Sequence, residues 1–285
     1  MSQVGRHLLQ FVTSIVLARL LDPRDFGLIG MTTVFTGFAS LFVDIGLGAA
    51  LIQKLDLKPR HLNSVFWVTI LLGALLAGLL FAASPILARF YDIPQLDTIT
   101  KLVSLNFVIG SIGVVPSSLL QKGMNFKRLF LVEIAALTGS GAVGIGMAFR
   151  GWGVWSLVAQ SLVGASMTVA LLWLLSGWRP AWSLDMSAIR ELCGFSANLL
   201  GFNVFNYWAR NLDNLLIGRL VGPTALGLYS RAYNLMLLPL TQVSWVVSRV
   251  MFPVMSEIQL NIDYSRRVYL RAIQMIALVT FPLMI

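Results

Sequence analysis

The stretch that decides the fold occurs twice in this chain. Residues 18–28 read Ala-Arg-Leu-Leu-Asp-Pro-Arg-Asp-Phe-Gly-Leu, and residues 218–228 read Gly-Arg-Leu-Val-Gly-Pro-Thr-Ala-Leu-Gly-Leu. Arginine, leucine, proline, glycine and leucine recur at matched positions without a gap. Both copies lie in hydrophobic segments of membrane length. Many transporters are built from duplicated helix bundles, with the substrate path between the copies.

Composition identifies an integral membrane protein. Of the 285 residues, 57% are hydrophobic and only 12% are charged, whereas a soluble domain carries about 25% charged residues. The formal net charge of +9 is assigned to basic cytoplasmic loops, so no nucleic-acid partner is predicted. The single cysteine, Cys193, excludes an internal disulfide and a cysteine-rich metal site. His7 and His61 lack metal-ligand spacing, so no metal is predicted.

Apolar runs predict eight membrane-spanning helices and the start of a ninth, at about residues 4–21, 26–52, 64–90, 98–120, 128–149, 152–177, 196–218, 225–254 and from 268 onward. The predicted fold is therefore an all-α polytopic membrane helix bundle. The two repeat copies are six spans apart, so they point the same way across the membrane. We expect two parallel-repeat six-helix lobes: residues 1–180 with helices one to six, and residues 181–285 as the beginning of a second lobe. We also expect both chain ends to be incomplete.

The basic residues predict the orientation. They concentrate in alternate loops, which by the positive-inside rule are cytoplasmic, and the N-terminus lies on the same side. Arg24 is the one exception in an otherwise poorly basic set of loops. The basic residues of the predicted cytoplasmic loops are Lys54, Lys58, Arg60, Lys122, Lys127, Arg128, Arg179, Arg190, Arg266 and Arg267.

Polar residues form stripes inside the spans. Asn203, Asn206, Arg210 and Asp213 fall within an arc of about 80° on span seven. Arg231, Asn234, Gln242 and Arg249 do the same on span eight, which contains Pro239. Gln3, Arg6, Gln10 and Thr13 repeat the first stripe in register on span one, and Thr36, Ser40 and Asp44 lie on one side of span two.

These stripes predict a hydrophilic, net cationic cavity between the lobes, since polar residues inside a membrane face a cavity or one another. Guanidinium groups suit a phosphate because they stay charged and donate paired hydrogen bonds. A structural alternative stays open: Arg210 pairs with Asp213 one turn away and stabilises helix packing. Arg249 lies nearest a membrane interface, where its side chain can extend into the headgroups.

Several short motifs resemble those of the bacterial oligosaccharide flippases. They include residues 17–28, Asp44-Ile45-Gly46-Leu47, Ile52-Gln53-Lys54, the stretch from Pro116 to Phe126, and the stretches 216–220, 227–229 and 232–234. Phe252-Pro253-Val254 closes span eight as in that family. The resemblance covers almost the whole chain and is strongest to the colanic-acid-exporter branch of the polysaccharide transporters.

The resemblance implies two six-helix lobes and a multi-pass protein of the bacterial cytoplasmic (inner) membrane. Its role would be to move undecaprenyl-pyrophosphate-linked oligosaccharide to the periplasmic leaflet for exopolysaccharide, capsule or O-antigen synthesis. Partners would be membrane lipids, a polysaccharide polymerase and chain-length machinery, with no cofactor. On this hypothesis Arg6, Arg210, Arg231 and Arg249 hold the pyrophosphate, while Asn203, Asn206, Asn234 and Gln242 bind sugar hydroxyls. Asp44 or Asp213 would couple a proton or sodium ion.

Three other interpretations remain. An exporter of small amphipathic cations would share the fold, although a cationic cavity disfavours cationic substrates. A membrane glycosyltransferase or polymerase would need an acid–base residue and usually a large polar loop, so we expect no enzyme. An inactive transporter fragment is the third interpretation.

One apolar span contains four closely spaced glycines: Gly139, Gly141, Gly144 and Gly146. Small residues in such a span mediate helix packing, so we expect no nucleotide loop there.

Overall fold

The computed structural model of the chain describes residues 2–43, 47–54, 56–183, 185–187, 189 and 197–237, and single positions between 266 and 278. Asp44, Cys193, Gln242 and Arg249 lie outside these residues, as does most of predicted spans eight and nine. Contacts divide the chain into a unit of residues Met1–Gly227 and a unit of residues Leu228–Ile285. The fold below is that of the first unit. The predicted lobe boundary at residue 180 stays a prediction.

Among the residues that the structure describes, eight helices lie in the first unit. They are α1 Ser2–Leu20, α2 Pro23–Val43, α3 Leu47–Gln53, α4 Pro59–Tyr91, α5 Gln95–Lys122, α6 Phe126–Phe149, α7 Val154–Ser176 and α8 Ala197–Leu220. A further helix covers residues 223–237, and the described residues contain no strand. The all-α prediction is confirmed. The second predicted span contains two helices, α2 and α3, with residues 44–46 between them outside the description.

In the described part of the chain, five helical segments are long and apolar enough to cross a membrane: Pro23–Ile52, Pro59–Tyr91, Gln95–Lys122, Phe126–Phe149 and Val154–Ser176. These are the second to sixth predicted spans, and the protein is a multi-pass membrane protein. The helices of the first and seventh predicted spans have 19 and 24 residues. They are less apolar because they carry the polar stripes.

Helix α5 lies at the centre of the bundle, where it contacts α2, α3, α4, α6 and α7. Its side chains Leu96 and Ile99 are buried in a core with residues from α2, α4 and α7, among them Met31, Tyr91 and Val158. The helices approach closely where glycines lie between them. A Cβ on Gly73 would come within 2.6 Å of the Phe107 carbonyl oxygen, so α4 and α5 touch backbone to backbone.

The glycines of α6 behave largely as the sequence predicts. A Cβ on Gly139 would lie 2.5 Å from Met167 of α7, one on Gly144 would lie 3.0 Å from Gln160, and one on Gly141 would lie 3.2 Å from Thr13 of α1. These three positions mediate packing between helices. Gly146 has nothing within 4 Å of a Cβ at its position, so the packing interpretation is wrong for that residue.

The two repeat copies form the same corner. In each, a helix ends, two residues intervene, and a new helix starts at a proline, Pro23 or Pro223, where a missing N–H costs nothing. Equivalent hydrogen bonds close both corners: Leu21 N donates to Leu17 O at 2.9 Å, and Val221 N donates to Ile217 O at 2.9 Å. The sequence repeat is therefore a structural repeat.

The two corners also touch each other reciprocally. A Cβ on Gly27 would overlap the carbonyl oxygen of Pro223, and a Cβ on Gly227 would overlap the carbonyl oxygen of Pro23. We call this contact of Pro23, Gly27, Pro223 and Gly227 the repeat clasp. It needs glycine at both positions because the two backbones leave no room for a side chain.

Further along, α8 packs on α2 through aromatic side chains. The Tyr207 hydroxyl donates to the Val34 carbonyl at 2.7 Å, and the Trp208 ring centroid lies 5.2 Å from that of Phe38. A Cβ on Gly37 would lie 2.5 Å from the Tyr207 hydroxyl. The α2–α8 interface therefore adjoins the clasp, where α2 meets Pro223 and Gly227 of the next helix.

The described residues of the α7–α8 linker dock on the first turns of α4. Buried Asn63 accepts from Ala181 N at 3.1 Å and donates to Ser183 Oγ at 2.9 Å. The Trp67 ring lies 4.2 Å from the exposed Trp182 ring, stacked at 21°. Three further contacts extend this docking: Trp67 Nε1 donates to Ala181 O at 3.1 Å, Asp185 N donates to Ser64 Oγ at 2.8 Å, and Arg60 lies 3.4 Å from the Asp185 carboxylate.

Lys122, in the last turn of α5, caps the C-terminal end of α3. Its ammonium donates to the carbonyls of Leu51 at 3.3 Å and Ile52 at 3.2 Å, and also to that of Lys54. These carbonyls are left without helical partners where α3 ends, and a cation there is favourable. The short helix α3 therefore depends on a side chain from α5.

Replacing Lys122 by methionine is expected to lower the free energy of unfolding by about 2 kcal/mol, because charge-assisted hydrogen bonds are lost while the aliphatic stem is kept. Thermal unfolding of the purified protein in detergent measures the change. Lys127→Met, at an exposed lysine at the start of α6, is the matched control. Equal melting temperatures for the two variants would show that the ammonium adds nothing at the end of α3.

Candidate functional site

Two adjoining cavities lie within the bundle. The first, of about 350 Å³, is lined by α2, α5 and α7, and the second, of about 400 Å³, by α2, α3, α4 and α5. Ser40, Asn106 and Phe107 line both, so the two cavities are neighbours. We call the two together the hydroxyl groove after their polar lining: Thr33, Thr36, Ser40, Thr69, Asn106, Ser111 and Ser161.

Helical spacing brings these side chains to one place. Thr33, Thr36 and Ser40 recur every three or four residues, so they share one face of α2. Asn106 reaches the groove from α5, and Ser161 reaches it from α7. The rest of the lining is aliphatic, aromatic or glycine: Ile29, Gly37, Val43, Leu47, Gly48, Val103, Phe107, Gly110, Val114 and Leu157. None of these lining residues is charged.

The hydroxyl protons of the groove are directed into the helix backbones. Thr33 donates to the Ile29 carbonyl at 2.8 Å, and Ser40 donates to the Gly37 carbonyl at 2.6 Å. Thr36, Thr69 and Ser111 donate to backbone carbonyls in the same way, at 3.2, 3.0 and 2.7 Å. What these oxygens offer to a ligand is therefore their lone pairs.

Asn106 lies where the two cavities meet. Its amide nitrogen donates to the Val103 carbonyl at 3.1 Å and to Ser161 Oγ at 3.0 Å. Its amide oxygen is buried and accepts no hydrogen bond. A buried acceptor without a donor is costly, so a ligand hydroxyl or a water that donates to it would be favoured.

The two predicted arginines that the structure describes in the first unit, Arg6 and Arg210, lie elsewhere. Arg6 of α1 forms an ion pair with Glu133 of α6, 3.2 Å between Nη1 and Oε2. Arg210 and Asn206 of α8 are exposed, and Asn203 is half-buried. None of these residues lines the groove.

The alternative pairing of Arg210 with Asp213 is not observed. Among the residues that the structure describes, no ion pair joins the two side chains, and Asp213 Oδ1 accepts from the Asn214 backbone N–H at 2.8 Å. Arg231 is half-buried and Asn234 exposed on the helix of residues 223–237. Both belong to the second unit.

Thr36 and Ser40 are the residues of the predicted stripes that reach the groove. Thr33, Thr69, Asn106, Ser111 and Ser161 were not predicted, because a single uncharged polar side chain within a membrane helix is a weaker signal than a charge. The signal for Asn106 was its amide, which is costly inside a membrane span unless it has a role there. Within the described ranges, no group of three His, Cys, Asp or Glu side chains is placed to hold a metal ion.

Comparison with known proteins identifies the family of this chain. The profile of the family described as "Polysaccharide biosynthesis protein" matches residues 16–285. The chain belongs to this family. No solved structure matches the chain.

Three relatives in this family illustrate its range. The chain is 32% identical over 281 residues to the teichuronic acid biosynthesis protein TuaB of Bacillus subtilis, covering 98% of this chain and 58% of the relative. It is 26% identical to the lipopolysaccharide biosynthesis protein WzxC of Escherichia coli, covering 96% and 56%. It is 25% identical to the succinoglycan biosynthesis transport protein ExoT of Rhizobium meliloti, covering 100% and 58%. The chain thus spans less than three-fifths of the length of these relatives.

Proposed function

We propose that this protein is a flippase that moves undecaprenyl-pyrophosphate-linked oligosaccharide across the bacterial cytoplasmic membrane. Its family, described by polysaccharide biosynthesis, supports this role, as does the Rhizobium relative, whose name includes transport. The observation that carries the proposal is a groove among membrane helices whose described lining residues include hydroxyls and an amide and no charged side chain. Such a groove offers hydrogen bonds to a sugar within an apolar surrounding.

The predicted arginines take the pyrophosphate in this proposal. Arg210 is exposed on α8, and Arg231 and Arg249 belong to the second predicted stripe. Arg6 is already paired with Glu133, so a phosphate would have to replace that carboxylate. Asn203, Asn206, Asn234 and Gln242 remain candidates for sugar contacts, and Asp44 or Asp213 for coupling to a proton or sodium ion.

Transport would proceed by alternating access of two lobes, residues 1–180 and the lobe that begins at residue 181. The repeat clasp joins the two copies of the repeated corner, so rocking of the lobes would have to open or re-form it. The prenyl tail stays in lipid, and the N-terminus is cytoplasmic. A polysaccharide polymerase and chain-length machinery would take up the product. No chemical step on the substrate is part of this proposal.

An exporter of small amphipathic molecules is the second candidate function. The mixed polar and apolar lining of the groove would accept such molecules. Resistance of cells to dyes would favour it, whereas a defect confined to surface polysaccharide would favour the flippase.

Deletion of the gene in its host is expected to abolish one surface polysaccharide and to leave its lipid-linked precursor in the cytoplasmic leaflet. Restoring the gene with Arg210→Ala is expected to leave export at under about a tenth of the wild-type level, because a charged hydrogen bond to the pyrophosphate is lost. Membrane abundance is measured alongside polysaccharide yield. Unchanged polysaccharide in the deletion strain would refute the flippase, and normal export by Arg210→Ala would remove Arg210 from the site.

A further inference from the structure

The hydroxyl groove presents an excess of acceptors. Five of its hydroxyl groups donate to their own helices, and the Asn106 amide oxygen is buried with no donor. A ligand that enters must therefore bring its own donors. Sugar hydroxyls do so, because each carries one proton to donate as well as lone pairs.

None of the described lining residues is charged, which disfavours other parts of the substrate. A pyrophosphate has only acceptor oxygens at neutral pH, so among the described lining residues it would face lone pairs with no cation to compensate its charge. A prenyl chain would leave the buried Asn106 oxygen unsatisfied. An organic cation would find no carboxylate among the described lining residues.

The size and walls of the groove also fit a saccharide. The two cavities, of about 350 and 400 Å³, lie within the range of about 300–1,000 Å³ usual for small-molecule sites. Phe107 and Val103 supply apolar surface on the side of Asn106. Sugar rings have C–H faces as well as hydroxyl edges, so they can use both kinds of wall.

We propose that the hydroxyl groove is a subsite for the uncharged sugar units of the lipid-linked oligosaccharide, separate from the arginines assigned to its pyrophosphate. Asn106, Thr36 and Ser40 accept hydrogen bonds from sugar hydroxyls there. This inference rests on the proposed function and adds that separate residues bind the two parts of the substrate. The groove among α2, α5 and α7 binds the sugar, and the charged stripes bind the lipid-linked pyrophosphate.

Two probes separate the subsites: undecaprenyl-pyrophosphate-linked oligosaccharide extracted from the host, and undecaprenyl pyrophosphate without sugar. Their affinities are measured with the purified protein in detergent. Asn106→Leu and the double variant Thr36→Val with Ser40→Ala are expected to bind the sugar-bearing lipid about tenfold more weakly, because each removes neutral hydrogen-bond acceptors. Both variants should bind the bare lipid like the wild type.

Thr138→Val is the matched control. Thr138 is exposed on α6 and its hydroxyl donates to the Ile134 carbonyl at 2.8 Å, as the groove hydroxyls do, but it lies outside the groove. Thr36→Val alone keeps the shape of the side chain, so it still tests the subsite if Asn106→Leu unfolds. Thermal unfolding of each variant checks that its fold is retained.

Three outcomes would overturn the subsite. Wild-type affinity of both groove variants for the sugar-bearing lipid would show that the groove does not contact sugar. An equal loss of affinity for both lipids would place the groove at the pyrophosphate or the prenyl chain. If the wild type bound neither lipid, the flippase proposal itself would fail and the subsite with it.

Discussion

Replacing either Gly27 or Gly227 by alanine is expected to lower the free energy of unfolding by about 2 kcal/mol or more. The new Cβ would overlap the carbonyl oxygen of Pro223 in the first case and of Pro23 in the second. Backbone atoms cannot rotate away as a side chain does, so the two helices must separate, and overpacking of this kind costs about 1–3 kcal/mol. Thermal unfolding of the purified variants in detergent measures the loss.

Gly78→Ala is the matched control for both clasp variants. Gly78 lies in α4 with nothing within 4 Å of a Cβ, and alanine forms helix more readily than glycine. This variant is expected to be at least as stable as the wild type. If Gly27→Ala and Gly227→Ala were as stable as Gly78→Ala, the two corners would not be in contact in the protein.

The double variant tests whether the clasp is one contact. A separation of the corners caused by the first alanine also makes room for the second. The double variant is therefore expected to lose less free energy of unfolding than the sum of the two single-variant losses. Strict additivity would mean that Gly27 and Gly227 act at independent sites. The same variants measured for polysaccharide export would report whether the clasp takes part in transport.

Replacing Asn63 by leucine is expected to lower the free energy of unfolding by about 2–3 kcal/mol and to release the α7–α8 linker. Asn63 is 6% exposed, and its amide pairs with Ala181 N and Ser183 Oγ. Leucine is close to it in size but cannot pair, so the linker groups either stay unsatisfied or move to water. Chymotrypsin cleavage after Trp182, which stacks on Trp67, should accelerate together with the loss of thermal stability.

Asn125→Leu provides the comparison. Asn125 is exposed and, although it stands at the start of α6, its side chain makes no capping hydrogen bond. This variant should unfold and be cleaved like the wild type. An Asn63→Leu protein with wild-type cleavage would show that the linker is held by its other contacts, such as Arg60 with Asp185.

The helices and the repeated corners were predictable from local sequence. Runs of apolar residues such as 64–90 satisfy the length of a bilayer without reference to any neighbour. Likewise, a proline followed four residues later by glycine marks both corners. Spacing also placed Thr36 and Ser40 on one side of their helix, because the helical period is a local property.

The partners of these residues were not predictable in the same way. Arg6 was expected to face a cavity, but the structure pairs it with Glu133, 127 positions away in the chain. Thr36 and Ser40 were seen as a stripe, but their meeting with Asn106 and Ser161 depends on how α2, α5 and α7 cross. The helical period gives the direction in which a side chain points around the axis of its helix. It does not tell which other helix packs against that face.

The sequence by itself therefore determined the class of the protein, its helices and the existence of a repeat, because hydrophobicity and periodicity are written along the chain. Only the tertiary structure decided that the two copies touch at the Gly27–Pro223 and Gly227–Pro23 contacts. It also decided that hydroxyls and an amide, and no charge, are among the described polar residues that line the groove of the first unit. Both depend on close packing between distant segments, which is set by the shapes of all the side chains together.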